Sequence, residues 1–284
     1  MLPFHFLMGV MLLISTSMVV SSASWVAVWL ALEVNTLSFM PLIKSKNSVK
    51  YFLAQSVGSA MILGGVALSV DTFFMVGAAV KAGIAPFHLW LPQVMSSLSW
   101  GMCLILSTWQ KIAPLSVMAS IYSFNMLMFF MVFSCMMGAL GAMKQSQLRG
   151  VMAYSSIVHM GWIMAGMVES LSLGIFYFFV YCLLSILVFY KLMFHNSKFS
   201  MTRDISFVFL LCSMGGLPPF IGFFPKMLIL LKGIFMMAVP LMVSSLMMIY
   251  VYMNVAFSGV TKLTKDKSGL IIFVILSAPC FYFW

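Results

Sequence analysis

Two stretches decide how this chain folds: Lys81-Ala-Gly-Ile-Ala-Pro86-Phe-His88-Leu-Trp90-Leu-Pro92 and Gly215-Gly-Leu-Pro218-Pro219-Phe-Ile-Gly222-Phe-Phe-Pro225-Lys226. Each places glycine, proline and a lysine inside a window otherwise apolar enough to cross a bilayer. Proline removes a backbone donor and clashes with the preceding turn. In hydrocarbon the freed carbonyls need partners, so an interrupted helix is tolerated only where protein buries it or it lines a wet cavity. Paired interruptions of this kind point to ion pathways in transporters. A proline kink serving packing alone is the plain alternative at either stretch. The coincidence of two breaks with two lysines weighs against it.

The rest of the chain places these stretches in a membrane. Of 284 residues, 63% are hydrophobic and 7% charged, and the mean hydropathy is +1.13. A soluble domain carries about 25% charged residues, so this composition excludes a water-covered globular domain. The reading is one polytopic membrane domain over residues 1–284. The net charge of +10 comes from scattered basic residues with no dense run. It suits loops retained on one side of a membrane and not nucleic-acid binding. Cys103, Cys135, Cys182, Cys212 and Cys280 lie in apolar windows without CxxC or metal-ligand spacing. They read as small apolar packers. The first apolar segment lacks the basic start of a cleavable signal.

Hydrophobic windows give about eleven candidate spans, near residues 4–21, 25–43, 50–69, 72–92, 99–121, 124–143, 149–168, 172–194, 205–231, 234–257 and 269–284. They are apolar all round and not alternating, which predicts helices and excludes a β-barrel. Charge tests the count. The even-numbered connections, with the span ends that border them, hold Lys44, Lys46, Lys50, Lys144, Arg149, Lys191, Lys198, Arg203, Lys262, Lys265 and Lys267, and the odd-numbered ones only Lys232. So 11 of the 15 basic residues fall on one side, 1 on the other and 3 inside spans. A wrong count scrambles this division. The positive-inside rule places the N-terminus on the basic side and the C-terminus opposite.

Glu33, Lys81, Lys111 and Lys226 are the ionisable groups inside these spans. A charge at the bilayer centre costs a few kcal/mol on the cheapest scale, so such residues are functional candidates by default. A buried lysine responds to the distance of a neighbouring carboxylate, which makes its proton affinity switchable. Protonatable groups spaced along a buried polar line and joined by water make a proton relay. The competing reading is a static ion pair such as Glu33 with Lys81, but three lysines cannot all pair with one acid. His88 and His159 lie in or near spans and are possible relay members; each serves equally well as a structural hydrogen-bond partner. Tyr154, Ser155, Ser156 and Asn35 read as water holders or interhelical contacts. No haem or iron–sulfur ligand pattern, phosphate loop or nucleophile constellation stands in the sequence.

Several motifs occur in a specific order: Leu32-Glu33-Val-Asn35 with Pro41, Lys50-Tyr-Phe-Leu-Ala-Gln55, the Lys81–Pro92 stretch, Thr108-Trp-Gln-Lys111-Ile-Ala-Pro114, Gln147-Leu-Arg149, Ala153-Tyr-Ser-Ser-Ile-Val-His159-Met-Gly-Trp162, and the Gly215–Lys226 stretch. Over about residues 25–230 they resemble the subunit 2 family of mitochondrial NADH:ubiquinone oxidoreductase (respiratory complex I). That family is part of the antiporter-like family related to Mrp-type cation/proton antiporters. The resemblance implies an all-α integral membrane fold with inverted five-helix repeats and two broken helices, near 81–92 and 215–226, in a core spanning about 25–257. It implies a proton relay of Glu33, Lys81, Lys111 and Lys226, with His88 in the first broken-helix motif. It places the chain in the mitochondrial inner membrane, with the basic side as the matrix.

The resemblance further implies a subunit of a proton-translocating NADH:ubiquinone reductase with no redox site in this chain. NADH, FMN, iron–sulfur clusters and ubiquinone are expected elsewhere in the complex. The implied partners are neighbouring antiporter-like and small membrane-arm subunits, and phospholipids including cardiolipin. Two other classes stand beside this one. A stand-alone cation/proton antiporter is disfavoured by the missing N-terminal spans of full-length members. A structural spacer is disfavoured by its retention of buried charges that Leu could replace with a gain in stability.

Overall fold

The computed structural model describes residues 2–43, 47–194, 205–233 and 235–260, and among them every regular element is helical. In order these are α1 (Leu2–Ser21), α2 (Trp25–Phe39) with a 3-10 turn (Met40–Leu42), α3 (Ser48–Leu68), α4 (Asp71–Ala82) and α5 (Trp90–Met95). Next come α6 (Trp100–Ser107), a 3-10 turn (Trp109–Lys111), α7 (Ile112–Ile121), α8 (Phe124–Met143), α9 (Leu148–Glu169) and α10 (Leu171–Phe194). The last are α11 (Ile205–Gly215), α12 (Phe223–Lys232) and α13 (Phe235–Val260).

Among the described residues seven helices are long and apolar enough to cross a membrane: Trp25–Leu42, Ser48–Leu68, Trp100–Ile121, Phe124–Met143, Leu148–Glu169, Leu171–Phe194 and Phe235–Ala256. They coincide with seven of the eleven windows. The other four windows differ for separate reasons. The first corresponds to α1, within which Phe6–Ser21 is apolar. The fourth is divided into α4, of 12 residues, and α5, of 6. The ninth is divided into α11, of 11 residues, and α12, of 10. The window at 269–284 lies outside the described residues.

Contacts sort the connections into two sets. Asn47 Nδ2 donates to Gln93 O at 2.9 Å and to Ser97 Oγ at 3.1 Å, and Lys50 Nζ donates to Gln93 Oε1 at 3.1 Å. Arg149 Nη1 donates to Ser96 O at 3.1 Å. These bonds join the second, fourth and sixth connections. Tyr122 Oη donates to Val168 O at 3.0 Å, joining the fifth to the seventh. A groove lined by Ser22, Ser24, Ser116 and Ser120 joins the first to the fifth. In these contacts even connections meet even ones and odd meet odd, as a chain crossing a slab at each pass requires.

The outer surface is apolar: Phe6, Phe179, Phe235 and Leu246 are all more than half exposed. Such a surface is a liability in water and an asset in lipid. α9 is the most enclosed span, with 94% of its window buried, and it packs against α5, α6, α8, α10, α12 and α13. Hydroxyls inside the bundle bond their own helix. Ser155 Oγ donates to Met152 O and Ser156 Oγ to Ala153 O, both at 2.8 Å. Small polar groups thereby cross an apolar interior without outside partners.

Candidate functional site

α4 ends because Gly83 takes the left-handed conformation, with φ of 69°, which costs a glycine little. Gly83 N donates to Val80 O at 3.2 Å and Ile84 N to Ala79 O at 3.0 Å. The interruption leaves carbonyls without their helical partners, and side chains supply them. Gln55 Nε2 of α3 donates to Lys81 O at 3.2 Å, and Trp90 Nε1 of α5 donates to Val80 O at 3.0 Å. Lys81 therefore sits in the last turn of a half-helix, 4% exposed. Its stem lies across Gly58 of α3, where an added Cβ meets Lys81 Cγ at 2.7 Å. The glycine makes room for the lysine.

Among the described residues Lys81 Nζ, which is buried, has no hydrogen-bond partner, and neither has Nδ1 of the buried His88 in the same break. Glu33, half-buried on α2, is close enough to Lys81 to act on it electrostatically, but the two form no contact pair. The Glu33 carboxylate instead accepts from Thr36 Oγ1 at 3.3 Å. Buried polar groups without partners are rare, and each asks for a reason such as water or function. The His88 ring stands edge-on to Tyr154, with centroids 6.0 Å apart.

Lys111 is 1% exposed and among the largest fully buried side chains. It occupies a third irregularity that the sequence reading of window 99–121 did not anticipate. α6 stops at Ser107, and Lys111 N donates to Thr108 O at 3.2 Å in a 3-10 turn. Tyr181 Oη of α10 donates to Ser107 O at 3.2 Å, capping a carbonyl that a continuing α-helix would give to Lys111 N. Gln110 Nε2 donates to Asn35 Oδ1 of α2 at 3.2 Å. Lys111 Nζ donates to Ser156 O of α9 at 3.0 Å and lies over the Tyr181 ring, 5.5 Å from its centroid. The turn carrying Lys111 also packs against α4.

An aromatic row continues from there. The Tyr181 and His159 rings are 4.9 Å apart, and His159 Nδ1 and Tyr177 Oη share a hydrogen bond of 2.9 Å. Tyr177 stacks on Trp162 at 6.0 Å and 3°. Lys226 Nζ lies over Trp162 at 5.3 Å from its centroid. It donates to Gly215 O at 2.7 Å and Met214 O at 3.3 Å. These are carbonyls of the end of α11, bared where the helix stops at Gly216, whose φ is 80°. Between His159, Tyr177, Tyr181, Met214 and Pro225 lies a gap with room for about one water.

The structure thus gathers Lys111, His159 and Lys226 along one row and seats Lys81 and His88 in one break. Glu33 stands on the flanking α2. Tyr177 and Tyr181 were not singled out from sequence, and Gln110 and Trp162 only as parts of motifs. The available signal was the Tyr177/Tyr181 spacing of four, which puts both rings on one helix face. Among the described residues no three His, Cys, Asp or Glu side chains cluster as metal ligands.

The family model described as NADH:quinone oxidoreductase/Mrp antiporter, TM, matches residues 66–253. NADH-ubiquinone oxidoreductase chain 2 of Lumbricus terrestris is 38% identical over 282 residues, covering 87% of this chain and 84% of the relative. The chain 2 of Anopheles gambiae is 34% identical over 286 residues, covering 88% and 84%. Among solved structures, a chain of respiratory complex I from Thermus thermophilus with bound Aureothin superposes with a TM-score of 0.81 at 22% identity, over 90% of this chain and 70% of that one. A chain of the Mrp complex from Dietzia sp. gives 0.77 at 17% identity, over 87% and 59%.

Proposed function

The chain belongs to the NADH-ubiquinone oxidoreductase chain 2 family, within the wider NADH:quinone oxidoreductase/Mrp antiporter family, and we propose that it is a proton-conducting core subunit of the complex I membrane arm. It lies in the mitochondrial inner membrane as a multi-pass protein of eleven spans, the fourth and ninth being broken helices, with its N-terminus on the matrix side. NADH oxidation, flavin, iron–sulfur and quinone chemistry belong to other subunits. Its partners are neighbouring antiporter-like and small membrane-arm subunits, and phospholipids including cardiolipin.

The observation that carries this reading is that, among the described residues, three lysines are buried without a carboxylate in contact. Lys81 Nζ has no partner there, while Lys111 and Lys226 rest on backbone carbonyls and aromatic faces. A scaffold gains nothing from this arrangement, since isolated buried charge is destabilising and apolar replacements are neutral or better. A relay needs it, because an ammonium held by neutral groups can give up its proton without stranding a carboxylate.

In the proposed cycle, redox energy released elsewhere changes the Glu33–Lys81 separation. Moving a unit pair from about 4 to about 8 Å at an effective dielectric constant of about 20 changes its energy by about 2 kcal/mol. That is enough to alter proton occupancy at Lys81. The proton passes by way of His88 and water to Lys111, then along His159 to Lys226.

Substituting Lys111 with Met in the assembled complex tests the relay. NADH oxidation should continue, and the proton-to-electron ratio should fall by the share this subunit contributes. An unchanged ratio would end the relay reading.

A further inference from the structure

Tyr181 has no place in the relay as stated, yet it touches both sides of its middle. It is 3% exposed and makes three contacts with three different elements. Its ring face carries the Lys111 ammonium at 5.5 Å, its ring stands 4.9 Å from that of His159 at a tilt of 35°, and its hydroxyl donates to Ser107 O at 3.2 Å. No other residue in the row joins the turn bearing Lys111 to the imidazole.

The three contacts have different consequences. The hydroxyl bond ties α10 to the turn. A continuing α-helix would direct Lys111 N to Ser107 O; here Lys111 N bonds Thr108 O in a 3-10 turn, and Tyr181 Oη supplies the donor that Ser107 O would otherwise lack. The ring face stabilises an ammonium resting on it and leaves that ammonium to bond Ser156 O. The ring body fills the space next to the imidazole. The water-sized gap lies against the His159 and Pro225 side of Tyr181, so water has room between Tyr181 and the Lys226 half. A phenol whose one proton is committed to a carbonyl has none to pass on.

We propose that Tyr181 is a positioning residue and gate: it parks Lys111 on its ring, and it separates Lys111 from the His159–Lys226 row until it turns away. This rests on the relay reading above. It adds a barrier between Lys111 and His159 that the relay does not itself require.

Complex I carrying the substitutions, reconstituted in liposomes, gives the test. An imposed pH gradient is followed with a pH-sensitive dye in the absence of NADH. Tyr181→Ala removes the ring, and the gradient should collapse several-fold faster than in the unsubstituted complex. Adding Lys111→Met to Tyr181→Ala should restore the slow decay, because the leak runs through Lys111. Should Tyr181→Ala fail to assemble, Tyr181→Leu, with its greater apolar volume and no ring, takes its place in the same two comparisons. Tyr181→Phe keeps the ring and loses the hydroxyl bond. It should hold the gradient as tightly as the unsubstituted complex while pumping at a lower proton-to-electron ratio.

Gradient decay unchanged in the ringless variant would overturn the gate. So would a leak that Lys111→Met fails to suppress, since packing damage leaks by any route. A Tyr181→Phe complex that pumps at the full ratio would overturn the positioning role. Lys111→Met alone distinguishes the two hypotheses: a normal ratio there removes the relay itself, whatever Tyr181 does.

Discussion

The two helix breaks use the same residue types and hold their lysines in opposite ways. In the first, Lys81 precedes the break and rides the carbonyl end of α4, where the helix dipole favours a cation. Its ammonium nonetheless finds no hydrogen-bond partner among the described residues. In the second, Lys226 follows the break in the first turn of α12, where the dipole opposes a cation. It escapes by reaching back to Met214 O and Gly215 O at the carbonyl end of α11, with the Trp162 face above it. Both lysines thus draw on the same end of a half-helix. One does so from its own helix with nothing at its tip, the other across the gap with bonds in place. In the proposed relay the first responds to a moving carboxylate and the second seats the proton.

The largest effect that tests this contrast comes from removing each ammonium in turn. An unpaired buried charge replaced by an apolar group of similar volume is neutral to stabilising, by about 1–4 kcal/mol. Lys81→Met should therefore raise the temperature at which the purified complex loses its membrane arm. Lys226→Met gives up hydrogen bonds worth about 1.5–3 kcal/mol each to a charged donor. Its thermal midpoint should fall below that of Lys81→Met. Both variants should lose proton-to-electron ratio. Equal midpoints would show that the two seats do not differ energetically, whatever their geometry.

A smaller effect separates the two glycines that make the breaks. Gly83 and Gly216 both have positive φ, 69° and 80°, so alanine at either costs about 1–2 kcal/mol of left-handed strain. The surroundings of the added methyl differ. At Gly83 it meets Leu91 and Trp90 at 3.3 Å; at Gly216 it meets Lys226 Cδ at 2.7 Å and Nζ at 2.9 Å. Gly83→Ala should lower thermal stability and leave pumping per electron intact. Gly216→Ala should lower both, because the lysine itself is displaced. A Gly216→Ala complex with a normal proton-to-electron ratio would mean that the seat of Lys226 does not matter to conduction.

The breaks were legible in sequence because Gly, Pro and Lys coincide in windows that are otherwise apolar. The long helices were legible because nothing interrupts their hydropathy. The third irregularity, at Thr108–Lys111, was not. It has no glycine, and Pro114 falls in the first turn of α7, where proline is tolerated. What bends the chain there is tertiary: Tyr181 on Ser107, Asn35 on Gln110 and Ser156 on Lys111, bonds from three other helices. The aromatic row was hidden for a related reason. In a chain with 27 phenylalanines and 9 tyrosines, a tyrosine inside a span reads as packing until a histidine is found facing it. Of the six candidates named from sequence, Lys81 and His88 share a break, Lys111, His159 and Lys226 share a row, and Glu33 sits apart on α2. The grouping, unlike the membership, came only with the fold.

The smallest effect concerns the bond that ties the helix bearing Glu33 to the turn bearing Lys111. Asn35 lies two residues from Glu33, and Gln110 immediately precedes Lys111. Their side chains bond at 3.2 Å, and both are buried. Hydrogen bonds between helices inside a membrane average about 0.6 kcal/mol and reach about 1.7, so neither Asn35→Leu nor Gln110→Leu should prevent assembly. Each leaves one amide unpaired in an apolar interior, so each single substitution should cost more than the double one relative to additivity. If the bond only packs α2 against the turn, the thermal midpoints should show that coupling and the proton-to-electron ratio should not move. If it sets the register of the acid-bearing helix on the lysine-bearing turn, the ratio should fall by the same amount in both singles and in the double. A ratio that falls additively would separate the two residues.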